Sequence, residues 1–311
     1  MNGDCELDLG PLDGPVLVFG GPYGNLEATQ AVLAEAERRA IPWSHVICTG
    51  DIPAYCAEPQ ACADLLRARS IPCVLGNCEE QLAADAEDCG CGFEEGTACA
   101  DLSQAWFAYC RKALDPETKR WMGTLPRRVR FTLGGRRLVA VHGGVDRINR
   151  FIFPSMPESE KLAEIERAGA DGILAGHSGL PFAQLLDARG STRLWLNGGA
   201  IGMPANDGTA RAWYSLLVPH AGAIEVSLHA LAYDHARAAA KMRAAGLPDG
   251  YAAALSSGLW PSNDVLPEAE LSMRGQALSF VALSWTEDRA GTPSEPPTRA
   301  AHAIGQALQA S

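Results

Sequence analysis

The sequence predicts an α/β fold, a parallel sheet with crossover helices, and two observations predict it. Short apolar runs repeatedly end at glycine beside a polar residue, and stretches with apolar residues at helical spacing alternate with those runs. A run of about four apolar residues is too short for a helix and reads as a buried strand.

The elements follow in order. Residues 16–19 form a strand, and residues 25–40 a helix in which Leu26, Val32, Leu33 and Ala36 share a face. Residues 45–48 are a second strand ending at Gly50-Asp51, residues 59–69 a helix, and residues 72–75 a third strand ending at Gly76-Asn77. Residues 129–133 and 137–141 read as a hairpin that ends at His142. A helix over 158–168 leads to a strand at 172–175 that ends at Gly176-His177. Strands at 194–196, 212–218 and 223–228 follow, then an Ala-rich helix over 233–245 closed by Gly246. Residues 1–14 read as a tail, and 15–286 as one domain with a Cys-rich insert at 79–126 and a helical region at 233–270. Residues 287–311, rich in Gly, Pro, Thr and Ser, read as a disordered tail.

With 311 residues, 47% hydrophobic and 20% charged, the chain can bury one large core or two modest ones. A formal charge of -11 repels polyanions and argues against duplex nucleic acid as a partner. The basic clusters, 127–130 and 136–137, flank a hairpin turn at Gly134-Gly135 and read as solvated. No apolar stretch reaches the roughly 20 residues of a membrane span. Residues 1–13 are acidic, without the pattern of a secretion signal, so the ten cysteines are expected as thiols in a reducing cytoplasm.

The chemistry falls at strand ends, where open α/β sheets bind ligands. Asp51, Asn77, His142 and His177 each sit beside glycine at such an end. One carboxylate, one amide and two imidazoles suit Mn, Fe, Zn or Ni better than Ca. A lone His beside Gly is an ordinary structural residue; four ligands in order, each after an apolar run, predict a metal centre.

These segments resemble the calcineurin-like metallophosphoesterase superfamily, in its bacterial and archaeal phosphodiesterase-like branch. The family's strand ends read Asp-x-His-Gly-Asn, Gly-Asp, Gly-Asn-His/Cys-Asp/Glu, His-Gly and Gly-His-x-His. This chain offers the segment Gly21 to Asn25, then Gly50-Asp51, Gly76-Asn77-Cys78-Glu79, His142-Gly143 and Gly176-His177-Ser178-Gly179. The loop Asn197 to Pro204 is similar to the family's Asn-Pro-Gly-Ser-x-Gly-x-Pro, and the resemblance covers roughly residues 15 to 260. It implies a four-layer α-β-β-α sandwich of two mixed sheets flanked by helices. It also implies hydrolysis of a small phosphorylated substrate at two metals.

One of those two sites is degenerate. The resemblance assigns Asp51 (bridging), Asn77, His142 and His177 to the second site, and all four are present. The first site's remaining ligands, an Asp and two His, would fall at positions occupied by Gly21, Tyr23 and Gly179. The expectation is one divalent transition metal per chain. Tyr23 either donates from its phenol to a phosphoryl oxygen or simply packs into the emptied space. Cys78 stands where relatives carry a His that protonates the leaving group; it is either an acid or ligand, or a small buried thiol.

Among the other candidates, Cys89, Cys91 and Cys99 in the insert read as a soft-metal site, or as loop thiols or a redox disulfide. Asn25 either caps the first helix or reaches a phosphate, Tyr55 is expected to line the pocket, and Arg211 to contact a phosphate unless a surface ion pair takes it. Glu79 is a candidate support behind the ligands. The leading reading is a metal-dependent phosphoesterase with one well-formed site. The alternatives are a metal-binding protein without turnover, and a scaffold repurposed for an unusual substrate with the cysteine insert.

Overall fold

The computed structural model describes residues 5–92 and 96–286, without the side chain of Cys99. The strands are β1 (Glu6–Leu12), β2 (Val16–Phe19), β3 (Val46–Cys48), β4 (Arg128–Leu133), β5 (Arg136–Ala140) and β6 (Gly172–Ala175). They continue with β7 (Phe182–Asp187), β8 (Thr192–Asn197), β9 (Ala212–His220), β10 (Ala223–Leu231) and β11 (Leu283–Thr286). The helices are α1 (Leu26–Arg38), α2 (Pro59–Ala68), α3 (Asn77–Ala83), α4 (Ala98–Ala113) and α5 (Pro116–Met122). After these come α6 (Glu158–Arg167), α7 (His235–Ala244), α8 (Asp249–Ser257) and α9 (Glu268–Ser272).

Two mixed sheets result. One runs β1-β4-β5-β6-β8-β7 and the other β11-β10-β9-β2-β3. Period-two alternation explains how they stack. Val16 and Val18 of β2 face the six-stranded sheet while Leu17 and Phe19 face the helices. In β5 and β6, Leu138, Ala140 and Leu174 point into the same inter-sheet core, and Val139 and Ile173 point to the opposite face, where Ile165 of α6 packs. Helices therefore cover the outer face of each sheet, giving the four-layer sandwich. Among the described residues no helix is long and apolar enough to cross a membrane.

The register places the ligands. Strands β5, β6 and β8 are mutually parallel in one sheet, β2 and β3 in the other. Their carboxyl ends open toward one shared rim, where a bridge joins Gly20 to Ala200 across the two halves.

Three expectations change. The segment assigned to a tail, residues 1–14, contains β1, which pairs in parallel with β4 from Glu6 opposite Arg128 to Leu12 opposite Leu133. Leu12 enters the inter-sheet core and Leu9 packs against it, while Glu6 pairs with Arg130, so an acidic edge strand is held by one apolar face. The strand expected at 72–75 reduces to a single bridge between Cys73 and Cys48, because Leu75 turns away to donate to Pro126 O at 2.8 Å. The helical region at 233–270 is three separate helices, broken by Gly246 and Gly258 at positive φ. The tail expected at 287–311 lies outside the described residues.

Candidate metal centre

Four side chains converge at the rim from different elements. Asp51 follows β3, Asn77 opens α3, His142 follows β5 and His177 follows β6. His142 Nε2 lies 3.3 Å from Asp51 Oδ2, 3.0 Å from Asn77 Oδ1 and 3.1 Å from His177 Nδ1. Atoms of Asp51, His142 and His177 all fall within 4.8 Å of one another. Asp51, Asn77 and His142 are buried.

The tautomer of His142 is fixed by its far side. Nδ1 lies 2.7 Å from the carbonyl oxygen of Thr49, which only accepts, so Nδ1 carries the proton and Nε2 is the inward atom. That inward lone pair meets a carboxylate oxygen, an amide oxygen and a second imidazole nitrogen. Three or four lone pairs aimed at one point repel unless a cation or a proton stands among them. The donor set therefore fits a divalent ion of borderline softness, with Asp51, Asn77, His142 and His177 as its holders.

Electrostatics agree with that reading. Burial pushes His142 down, but the Asp51 carboxylate and Thr49 O outweigh it and hold its pKa above the ordinary value. Burial raises Asp51, yet the two histidines outweigh it and lower its pKa. Burial, then the neighbouring His142, drives His177 down to about 3, which keeps its ring neutral and available as a ligand.

Backbone geometry marks the same place. Asp51 and His177 occupy left-handed conformations, with φ of 58° and 60°, as do Tyr23 at 52° and Tyr55 at 37°. Non-glycine residues are uncommon there, and such strain gathers at functional sites. Gly50 is obligatory for the turn that presents Asp51: φ is +97°, and a Cβ would lie 2.9 Å from both Gly76 N and His142 Nδ1.

Glu79 is the main support. Buried completely, its carboxylate accepts from Gly76 N at 2.8 Å, Asp51 N at 3.1 Å and Ile52 N at 2.5 Å, tying the two ligand turns together. Burial and the neighbouring Asp51 raise its pKa to about 7. Glu79→Gln leaves one acceptor oxygen for three N–H groups. We expect a loss of about 1–3 kcal/mol in denaturant unfolding, together with weaker retention of metal during dialysis.

The insert reaches the centre from the other side. Asn77 Nδ2 donates to Cys89 O at 2.9 Å and lies 3.4 Å from Cys91 Sγ, which turns Oδ1 toward His142. Asn149 Nδ2 pins the same loop through Gly90 O at 3.0 Å. Cys89 and Cys91 are paired as a disulfide, so the soft-metal reading of these two gives way to a covalent clasp on the loop that orients Asn77. The side chain of Cys99 lies outside the described residues.

Aromatic rings stand against Gly21 and Gly179, two of the positions to which the resemblance assigns the other site's ligands. A Cβ at Gly21 would sit 2.7 Å from Tyr23 Cε2, so the Tyr23 ring lies where a side chain from 21 would go. A Cβ at Gly179 would sit 3.3 Å from Trp260 Cζ2. Tyr23 is buried and meets Tyr55 edge-on at 4.7 Å, in line with the packing alternative for its role.

The calcineurin-like phosphoesterase superfamily domain is matched over residues 23–217, more than half of the chain. The chain belongs to that superfamily. Members of this superfamily use divalent metals, and Asp51, His142 and His177 form a cluster whose ligand atoms lie close enough together to hold such an ion. An uncharacterized protein of Methanocaldococcus jannaschii is 27% identical over 215 residues, covering 65% of this chain and 81% of that protein. A metallophosphoesterase from Sphaerobacter thermophilus superposes with a TM-score of 0.62 at 24% identity, covering 79% of this chain and 99% of that one. A hypothetical protein from Pyrococcus horikoshii gives 0.66 at 18% identity, over 79% and 99% of the two chains. At these identities the solved structures establish the fold.

Within this superfamily fold the remaining candidates separate. Tyr55 lines the cavity beside the centre, together with Tyr23, Asp51 and His177. Cys78 is buried behind the ligands and absent from the cavity wall; burial, then Asp51, drives its thiol pKa well up, so it is neutral. Asn25 is spent on structure: Oδ1 accepts Ala28 N at 3.1 Å as the α1 cap, and Nδ2 donates to Gly202 O at 3.1 Å. Arg211 takes its ion-pair alternative. Its guanidinium bonds Asp207 Oδ2 at 3.1 Å and Leu278 O and stacks on Trp213 at 4.7 Å, leaving the cavity wall without it.

Sequence reasoning missed Phe151, Met203, Tyr251 and Trp260, all on the cavity wall. Met203 lies within the Asn197 to Pro204 loop at a variable position of that motif, and the other three come from loops and a late helix without motif or period. Phe151 has a local signal too, lying near His142 in sequence, and its ring stands 4.2 Å from that of His177.

Proposed function

We propose that the protein is a metal-dependent phosphoesterase working with one firmly held divalent transition metal, on a small phosphorylated substrate. The observation that carries this reading is the convergence of Asp51, Asn77, His142 and His177 on one point while aromatic rings stand against two of the positions assigned to the other site's ligands. A bound ion would supply a water of lowered pKa and polarise a phosphoryl oxygen.

The chain's own groups do the rest. His142 is locked by Thr49 O, and Asn77 by the Cys89 carbonyl, so the ligand directions are fixed before any substrate arrives. Glu79 holds the Asp51 turn rigid from behind. Tyr23 stays protonated, because burial and then Asp51 raise its pKa well above the usual phenol value, so its hydroxyl can only donate toward an anion on the wall. Phe151, Trp260 and Met203 give the cavity beside the centre an apolar wall.

Elemental analysis of protein loaded with Mn, Fe, Zn or Ni tests the metal count, with about one equivalent per chain expected. Turnover is tested with aryl phosphate esters. Two tightly held equivalents would overturn the single-site reading. Loaded protein that leaves every ester untouched would favour a metal-bearing scaffold without turnover.

A further inference from the structure

The cavity beside the centre has an unusual wall for a site that handles phosphate. Tyr55 is its hub: the ring lies 4.7 Å from Tyr23 and 4.6 Å from Tyr251. Phe151, Met203 and Trp260 line it as well. Among the described residues no lysine or arginine lines it, and the nearby guanidinium of Arg211 is consumed by Asp207. The cavity measures about 80 Å³. That is below the ~150 Å³ of an apolar cavity that takes up benzene, so its enclosed part admits a short alkyl group or the edge of one ring.

Charge counting limits the head group. One divalent ion against the Asp51 carboxylate leaves at most a single positive charge, since Asn77 and the imidazoles add none when they act as ligands. A dianionic phosphoryl group would leave one negative charge uncompensated against apolar walls, which is costly, and no cation is in place to take it. The buried Glu79 carboxylate behind Asp51 adds a further negative charge, so a monoanion is tolerated better than a dianion. Aromatic rings stand against two of the lost ligand positions, where they offer contact area to an ester's organic group instead of charge to its phosphate.

We infer that this site selects a singly charged phosphoryl head carrying a small apolar group, and that it rejects nucleotides and phosphate dianions. The turnover of such an ester rests on the phosphoesterase reading; the binding preference does not.

The test is calorimetric titration of Mn-loaded protein with three non-hydrolysed probes at mildly alkaline pH. Methyl phenylphosphonate is a monoanion with an apolar ring, phenylphosphonate is the matching dianion, and adenosine monophosphate is a dianion with a large polar group. The monoanion should bind at least about tenfold more tightly than either of the others. Val265→Lys places a cation at the partly buried rim and should tighten phenylphosphonate about tenfold with little change for the monoanion. Equal or tighter binding of the dianion or the nucleotide to the unsubstituted protein overturns the inference, as does failure of all three to bind. Ester hydrolysis is followed separately. Monoanion-selective binding without turnover sinks the hydrolase reading and leaves this inference standing, and turnover without the selectivity does the reverse.

Discussion

Asp51→Asn is expected to lower kcat/KM by on the order of a thousandfold or more, because it removes the one anionic ligand of the centre. Asparagine is the informative replacement. Asp51 sits at φ 58°, a conformation that asparagine tolerates, and the amide oxygen can still accept from Cys78 N, now at 3.3 Å. Shape and backbone are thus preserved while charge is lost. The amide N–H groups would take the place of an oxygen now 3.3 Å from His142 Nε2 and would point donors where lone pairs converge. Metal content should fall below stoichiometric. Added metal should no longer raise the unfolding temperature, because ligand-linked stabilisation needs the site. The metal-free variant should also unfold below the parent, since it removes one partner of the buried Asp51–His142 pair. Retained activity in Asp51→Asn would place the chemistry elsewhere.

The parts of this centre that were legible in the sequence share one property: they are carried by short range. An apolar run, a glycine and a polar residue state together that a strand ends and turns sharply, and Asp51, Asn77, His142 and His177 all occupy such ends. The hairpin of β4 and β5 was visible for the same reason. The edge strand β1 was not. Its alternation is masked by Glu6, Asp8 and Pro11, and only the pairing with β4 makes it a strand. The cavity wall was invisible because it is a long-range product. Tyr251 and Trp260 sit in or after α8, more than two hundred residues from Tyr23, and no spacing announces that they meet it. Arg211 was open between a phosphate contact and an ion pair, and a buried Asp207 four residues away takes it as an ion pair. Glycines 21 and 179 were read as ligands lost, and the structure packs the rings of Tyr23 and Trp260 against them.

That packing sets the second large expected effect. Gly21→Ala should destabilise the protein by about 2–4 kcal/mol, from an alanine forced to positive φ and from displacement of the packed Tyr23 ring. The backbone at 21 has φ +46°, and the added Cβ would stand 2.7 Å and 2.8 Å from two ring carbons of Tyr23. The ring has nowhere to go. Tyr55 closes one side, and the Gly202 backbone lies so near that a Cβ there would be 2.7 Å from Tyr23 Cβ. In a Tyr23→Asn background, which keeps a residue content with φ 52°, the same Gly21→Ala change should cost only about 1 kcal/mol, the conformational part. The difference is a coupling energy readable from a double-mutant cycle in denaturant. Additive effects would show that the ring does not fill the site. The same packing predicts how the first metal site behaves on repair. Gly21→Asp, Tyr23→His and Gly179→His together reinstate the ligand types, yet Trp260 still lies 3.3 Å from the Cβ that His at 179 would carry. Metal content should therefore stay near one equivalent in that triple variant and approach two only when Trp260→Gly is added. A site lost by point decay would be regained by restoring its ligands, whereas a site occupied by other side chains is regained only by removing them.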